Sequence, residues 1–213
     1  MCFSATASFI AGGALSATGV VTISEAKTKA ELPFASIPLL FGVQQLIEGV
    51  VWLSFGNTAF NVLATYSYSL FSHVLWPILV PFSVLLLETN PTRKKILWVF
   101  SFIGLMVGLY LLYFIVTEPI TSEIVDKSIA YKSPHLFLYP MLFCYFLATC
   151  VSCFFSSHKI VNLFGIVALI AAAVSAWFFT ETFLSVWCFF AAILSVLVYW
   201  YIHGKSDTSK LAS

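Results

Sequence analysis

The sequence predicts an all-α fold, a polytopic bundle of seven transmembrane helices, and three observations lead there. Apolar residues make up 61% of the 213-residue chain and charged residues only 9%, against about 25% charged in a soluble domain. Mean hydropathy is +0.99, so there is too little polar surface to face water. The apolar residues fall into seven runs, each close to the roughly 20 residues that cross a bilayer as a helix. The runs are continuous rather than alternating, which selects helices over a β-barrel. Ten Lys and Arg balance nine Asp and Glu, so no basic footprint for nucleic acid exists.

The first run, 2–24, carries Ser4, Ala7, Ser8, Ala11, Gly12, Ser16 and Gly19. Small residues let helix backbones approach closely in lipid, and this helix is expected inside the bundle. It lacks the basic region and cleavage site of a signal peptide and is expected to stay. The charged break Glu25 to Glu31 precedes the second run, 32–55. A short Gly56-Asn57-Thr58 break then makes the third run, 60–87, an antiparallel neighbour of the second. Pro77 and Pro81 lie inside the third run. Each removes the N–H that the carbonyl four residues earlier would accept, so a kink is expected near His73.

Glu88 to Lys95, punctuated by Pro91, separates the fourth run, 96–117. Its Gly104 and Gly108 form a GxxxG seam, either between helices of one chain or in a homo-oligomer. Glu118 to Ser133 is the longest break and reads as a charged loop. The fifth run is 135–156. The sixth, 160–179, has a small-residue stripe at Gly165, Ala172 and Ala176. Thr180-Glu181-Thr182 leads to the seventh, 183–202, and residues 205–213 read as a short tail.

Eight cationic residues, Lys27, Lys29, Arg93, Lys94, Lys95, Lys159, Lys205 and Lys210, fall on one side of such a bundle, and two, Lys127 and Lys132, on the other. The positive-inside rule puts the N-terminus outside, the C-terminus in the cytoplasm and the longest loop outside. A cell-membrane location follows. Cys2, Cys144, Cys150, Cys153 and Cys188 fit no disulfide framework and read as packing residues.

Ionisable groups inside a span are costly and therefore mark functional candidates. No Lys or Arg lies within a run, which excludes a retinal Schiff base and an internal cation for anions. Glu48 and His73 remain. Gln44, Gln45 and Trp52 share a broad helical face with Glu48, and Ser69 and Trp76 do so with His73. Glu48 lies roughly 12 Å from the outer end of its helix at 1.5 Å per residue. A pairing of Glu48 with His73 is geometrically open. Cys2, Ser4, His135, Glu181 and Trp187 lie toward the same outer side and complete a candidate outward-facing polar cavity. His158 and His203 are expected to be solvated at cytoplasmic helix ends.

The opening Met1-Cys2-Phe3-Ser4-Ala5-Thr6-Ala7-Ser8-Phe9, the stretch Leu39 to Gly49 with Trp52, and Trp187 to Ala192 resemble a family of bacterial multi-pass membrane proteins of unknown function. The resemblance implies a bacterial inner-membrane location. It marks Cys2, Ser4, Gln45, Glu48, Trp52, Trp187 and Cys188 as motif positions and supplies no catalytic role.

Three functions compete. The leading one is binding or transport of a small molecule or ion through the cavity around Glu48 and His73. The second is an intramembrane hydrolase acting on a lipid-like substrate, with Glu48, His73, His135 and Glu181 as possible metal ligands. The third is a structural or sensory subunit without chemistry. The residues leave open whether the chain is an enzyme and which cofactor, if any, it carries.

Overall fold

The computed structural model describes residues 4–125, 127–132, 139–179 and 181–210. The chain runs α1 (Ala5–Glu25), a short α2 (Leu32–Ala35), α3 (Ile37–Ser54), α4 (Thr58–Ser69), a π-helical turn (Leu70–Leu75) and α5 (Trp76–Leu87). It continues through α6 (Pro91–Thr117), strands β1 (Thr121–Val125) and β2 (Ser128–Lys132), and α7 (Tyr139–Thr149) with a 3₁₀ turn (Val151–Phe155). It closes with α8 (Lys159–Phe178), α9 (Phe183–Ile193) and α10 (Ser195–Lys210).

Six helical segments among the described residues are long and apolar enough to cross a bilayer: Ala5–Glu25, Leu32–Ser54, Thr58–Leu87, Pro91–Thr117, Lys159–Phe178 and Phe183–Gly204. Of the fifth apolar run, the described residues form the shorter apolar helix Tyr139–Phe155, and residues 135–138 lie outside them. The stretch from 205, read from sequence as a tail, continues α10 to Lys210.

Helix starts follow capping chemistry. Asn57 caps α4 by accepting the Phe60 N–H, and Asn90, ahead of Pro91, accepts the N–H groups of Thr92 and Arg93. Small residues bring α1 onto α3: a Cβ at Gly19 would collide with the backbone of Leu39.

The third span bends where the prolines require it. Pro77 cannot donate to the His73 carbonyl, and the turn before it widens into a π-helix in which the Trp76 N–H bonds the Phe71 carbonyl. Pro81 likewise leaves the Pro77 carbonyl without its helical donor. That carbonyl faces the Cα of Gly104, where a Cβ would collide with its oxygen, while Gly108 faces Ile78 and the Val74 carbonyl. Within the chain, the third span packs against both glycines of the seam.

The long loop is the main departure from the sequence reading. It folds into an antiparallel hairpin with Val125 opposite Ser128 and Thr121 opposite Lys132, and Lys127 takes φ 63° in the turn. Ser128, Ile129, Ala130 and Tyr131 of β2 are buried. The Tyr131 ring stacks on Tyr68 with centroids 4.2 Å apart and planes 4° apart. Because Tyr68 stands about 15 Å along the helix from Thr58, the hairpin reaches well into that end of the bundle. Thr65 and Ser122 hydroxyls, 2.7 Å apart, tie β1 to α4.

Candidate functional site

Between the hairpin and the opposite end lies a layer of buried polar side chains. Gln44, Gln45 and Glu48 on α3, Ser69, Ser72 and His73 in the third span, and Ser185 on α9 are all fully buried. Their placement follows from helical spacing on α3 and from the π turn, which carries Ser72 and His73.

Glu48 Oε1 accepts a hydrogen bond from Ser185 Oγ at 2.5 Å. Gln44 Oε1 accepts from Trp76 Nε1 at 2.7 Å, and Trp76 stacks on Phe41 with centroids 3.9 Å apart. Cys188 lies one turn from Ser185 on α9, and its thiol meets Gln44 and Tyr68, with Glu48 within electrostatic reach. His73 Nδ1 lies 2.8 Å from Ser72 Oγ, and the Ser69 carbonyl also faces the ring. Tyr145 on α7 donates to the Ser72 carbonyl at 2.5 Å.

The sequence left a pairing of Glu48 with His73 open. In the structure Glu48 is held from α9 through Ser185, and His73 from its own helix through Ser72. Ser185 carried no signal of its own, being a serine within an apolar run. Several buried atoms of the layer have no hydrogen-bond partner among the described residues: both amide atoms of Gln45, His73 Nε2, Ser69 Oγ and Trp52 Nε1. Buried polar groups are otherwise almost always satisfied by protein or ordered water.

The outer-side candidates divide. Trp187 is buried, and its Nε1 donates to the Ala168 carbonyl at 3.1 Å. Ser4 is exposed and caps α1 by accepting the Ala7 N–H. Glu181 is exposed. Cys2 and His135 lie outside the described residues. Among the described residues no three His, Cys, Asp or Glu side chains gather as a metal-binding group. The expected outward-facing cavity is closed in this conformation, since Glu48 and His73 are both at 0% exposure. A partly enclosed cavity of about 40 Å³ lies beside the layer at Trp76 and Cys188.

At the opposite end the structure supplies residues that the sequence reading passed over. Glu88 is buried and accepts the N–H groups of Thr89 and Asn90 and both the N–H and hydroxyl of Ser157. Burial alone would raise its carboxyl, but these hydrogen bonds together outweigh that and hold it below its ordinary value. Glu31, also buried, accepts the N–H groups of Lys27 and Thr28. His158 and His203, expected to be solvated, are part-exposed and each also has a polar partner. His158 Nε2 lies 3.3 Å from the Leu87 carbonyl, and His203 Nδ1 lies 2.9 Å from Glu25 Oε2.

These features define a class: an apolar helical protein of the membrane type, with a sealed polar layer crossing three of its helical segments. The chain belongs to the family of unknown function DUF6629, whose profile matches residues 1–213. No curated protein and no solved structure matches it.

Proposed function

We propose that this protein binds and moves a proton or small monovalent cation across the cell membrane, and that the polar layer is its occluded site. The observation that carries the reading is the set of buried, unpartnered atoms on Gln45, His73, Ser69 and Trp52, which calls for a bound solute, ion or water. The charge of the layer narrows the class. Glu48 and His73 are prominent ionisable groups of the layer, and no Lys or Arg is buried among the described residues, so the layer offers a carboxylate to a cation and no permanent cation to an anion.

In this reading all seven apolar segments span the bilayer, with the N-terminus outside and the C-terminus in the cytoplasm. The cation bias between the two ends supports that orientation. The exposed rings of Tyr113, Tyr139 and Trp177 at the hairpin end suit an outer interfacial belt. The hairpin is then the outer closure, with Tyr131 on Tyr68 as its plug. The π turn and the freed carbonyls at the prolines supply a weak point about which the third span can bend.

Binding is tested by unfolding the purified protein in mixed micelles with Na⁺, K⁺ or ammonium salts, using choline chloride as the ionic-strength control. A site occupied in the folded state alone stabilises by RT ln(1 + [L]/Kd). The expected result is stabilisation by one of the small cations, or by protons across a pH series, that Glu48→Gln and Gln45→Leu abolish. Equal stability in every salt and at every pH, with both variants merely less stable, overturns the proposal in favour of a structural layer.

A further inference from the structure

We infer that the partly enclosed apolar cavity beside the polar layer is a binding site for a small, uncharged, polarisable molecule of one to three heavy atoms, reached from the bilayer past Leu194. This inference does not rest on the transport reading, since it concerns the apolar cavity and not the polar layer.

The cavity has a volume of about 40 Å³. Its walls carry four conventional hydrogen-bonding side chains, and each spends its hydrogen on a partner in the protein. Trp76 Nε1 donates to Gln44 Oε1 at 2.7 Å and Trp187 Nε1 to the Ala168 carbonyl at 3.1 Å. Tyr145 donates its hydroxyl to the Ser72 carbonyl at 2.5 Å, and Thr149 donates to the Tyr145 carbonyl at 2.9 Å. The hydroxyl oxygens of Tyr145 and Thr149 keep acceptor lone pairs and the thiols of Cys150 and Cys188 are weak donors and acceptors, but the surface these walls turn to the cavity is almost wholly apolar. A water needs two to four polar partners to stay in such a space. It does not find them here, and the cavity is dry.

A dry cavity faced by indole, phenyl and sulfur surfaces attracts what is apolar and polarisable. Size sets the upper limit, because a dry protein cavity of about 150 Å³ holds a benzene or a xenon atom. One of about 40 Å³ therefore takes a diatomic or triatomic molecule or a single xenon atom. Such molecules dissolve in the bilayer, and the fold offers a route from there. Leu194, 3% exposed, occupies the break between α9 and α10. It lines both the cavity and a separate apolar groove of about 260 Å³ formed with Ile170, Val174 and Ile193. Leu194, at a helix discontinuity, thus borders both the cavity and the lipid-facing groove.

Xenon is the probe, followed by ¹²⁹Xe exchange NMR on the full chain in lipid nanodiscs. The wild type is expected to show a saturable bound population above that of empty nanodiscs. Ala168→Leu and Cys150→Val, two independent ways to fill the space, should abolish it, and the one that retains the wild-type melting profile decides. Leu194→Ala should keep the population and raise the exchange rate at least tenfold. Glu48→Gln should leave xenon binding intact, which separates this site from the polar layer. No bound population above empty nanodiscs, or one that survives a folded filling variant, overturns the site. Unchanged exchange in Leu194→Ala overturns the route.

Discussion

Gly104→Ala tests the packing that fixes the polar layer in place. The added methyl would collide with the Pro77 carbonyl oxygen and approach Pro81 Cγ at 3.1 Å. A flexible side chain could swing aside, but a backbone carbonyl on a helix can retreat only by moving α5 and, with it, the π turn that carries His73. Overpacking typically costs 1 to 3 kcal/mol, and loss of the close Cα–H···O approach adds up to about 1 kcal/mol. We therefore expect about 3 kcal/mol, a rise of roughly 150-fold in the unfolding constant. Denaturant titration in mixed micelles, followed by tryptophan fluorescence, reads it directly. Gly13→Ala is the control, because a Cβ there meets nothing within 4 Å; it should leave stability unchanged or slightly raised. The cause is tested by Pro81→Ala, which gives the Pro77 carbonyl a helical N–H and draws it back from Gly104. In the double variant the cost of Gly104→Ala should fall by at least about 1 kcal/mol. A Gly104→Ala loss below about 0.5 kcal/mol, or purely additive effects, refutes the reasoning.

Other outcomes follow from the same structure. The Glu88 carboxyl titrates below its ordinary 4.5 in the folded chain, so its contribution is fully present above that value and is lost as pH falls through the folded one. Glu88→Gln should flatten the acid limb of stability against pH, and Ser157→Ala should cost about 1 kcal/mol at neutral pH. Tyr131→Ala removes the ring stacked on Tyr68 and should loosen the hairpin by about 3 kcal/mol. With Cys188 as the sole remaining cysteine, that change should make its thiol, 3% exposed in the closed form, label with maleimide at least tenfold faster. Unchanged labelling would show that the hairpin does not seal the layer.

Much of the fold was legible because lipid imposes simple demands. A run of twenty apolar residues must be a helix, and Pro77 and Pro81 marked where the third span would deform. That the deformation is a π turn was not legible, since proline removes a donor without specifying how the turn relaxes. The hairpin escaped because Glu123, Asp126, Lys127 and Lys132 suggested a solvated loop. The available signal was the β-branched and aromatic residues Thr121, Ile124, Val125, Ile129 and Tyr131 on either side of a two-residue turn, without the alternation that marks a strand.

Within the site, Gln44, Glu48, His73 and Trp76 stood out because polar or ionisable groups in lipid are costly. Their partners did not, because contacts between distant helices are not written in local spacing. Ser185 reaches Glu48 across 137 positions of the chain, from a helix whose sequence is otherwise apolar. The same holds for Gly104, whose spacing announced a seam but not which surface would fill it.

The central claim, that the buried layer conducts a proton or small cation, is tested most directly by flux. Protein reconstituted in liposomes with an internal pH-sensitive dye should collapse an imposed proton, Na⁺ or K⁺ gradient faster than protein-free liposomes. Glu48→Gln should abolish that flux while reconstituting and unfolding like the wild type. Wild-type liposomes no leakier than empty ones to any of these ions, or a flux that Glu48→Gln leaves untouched, would contradict the account.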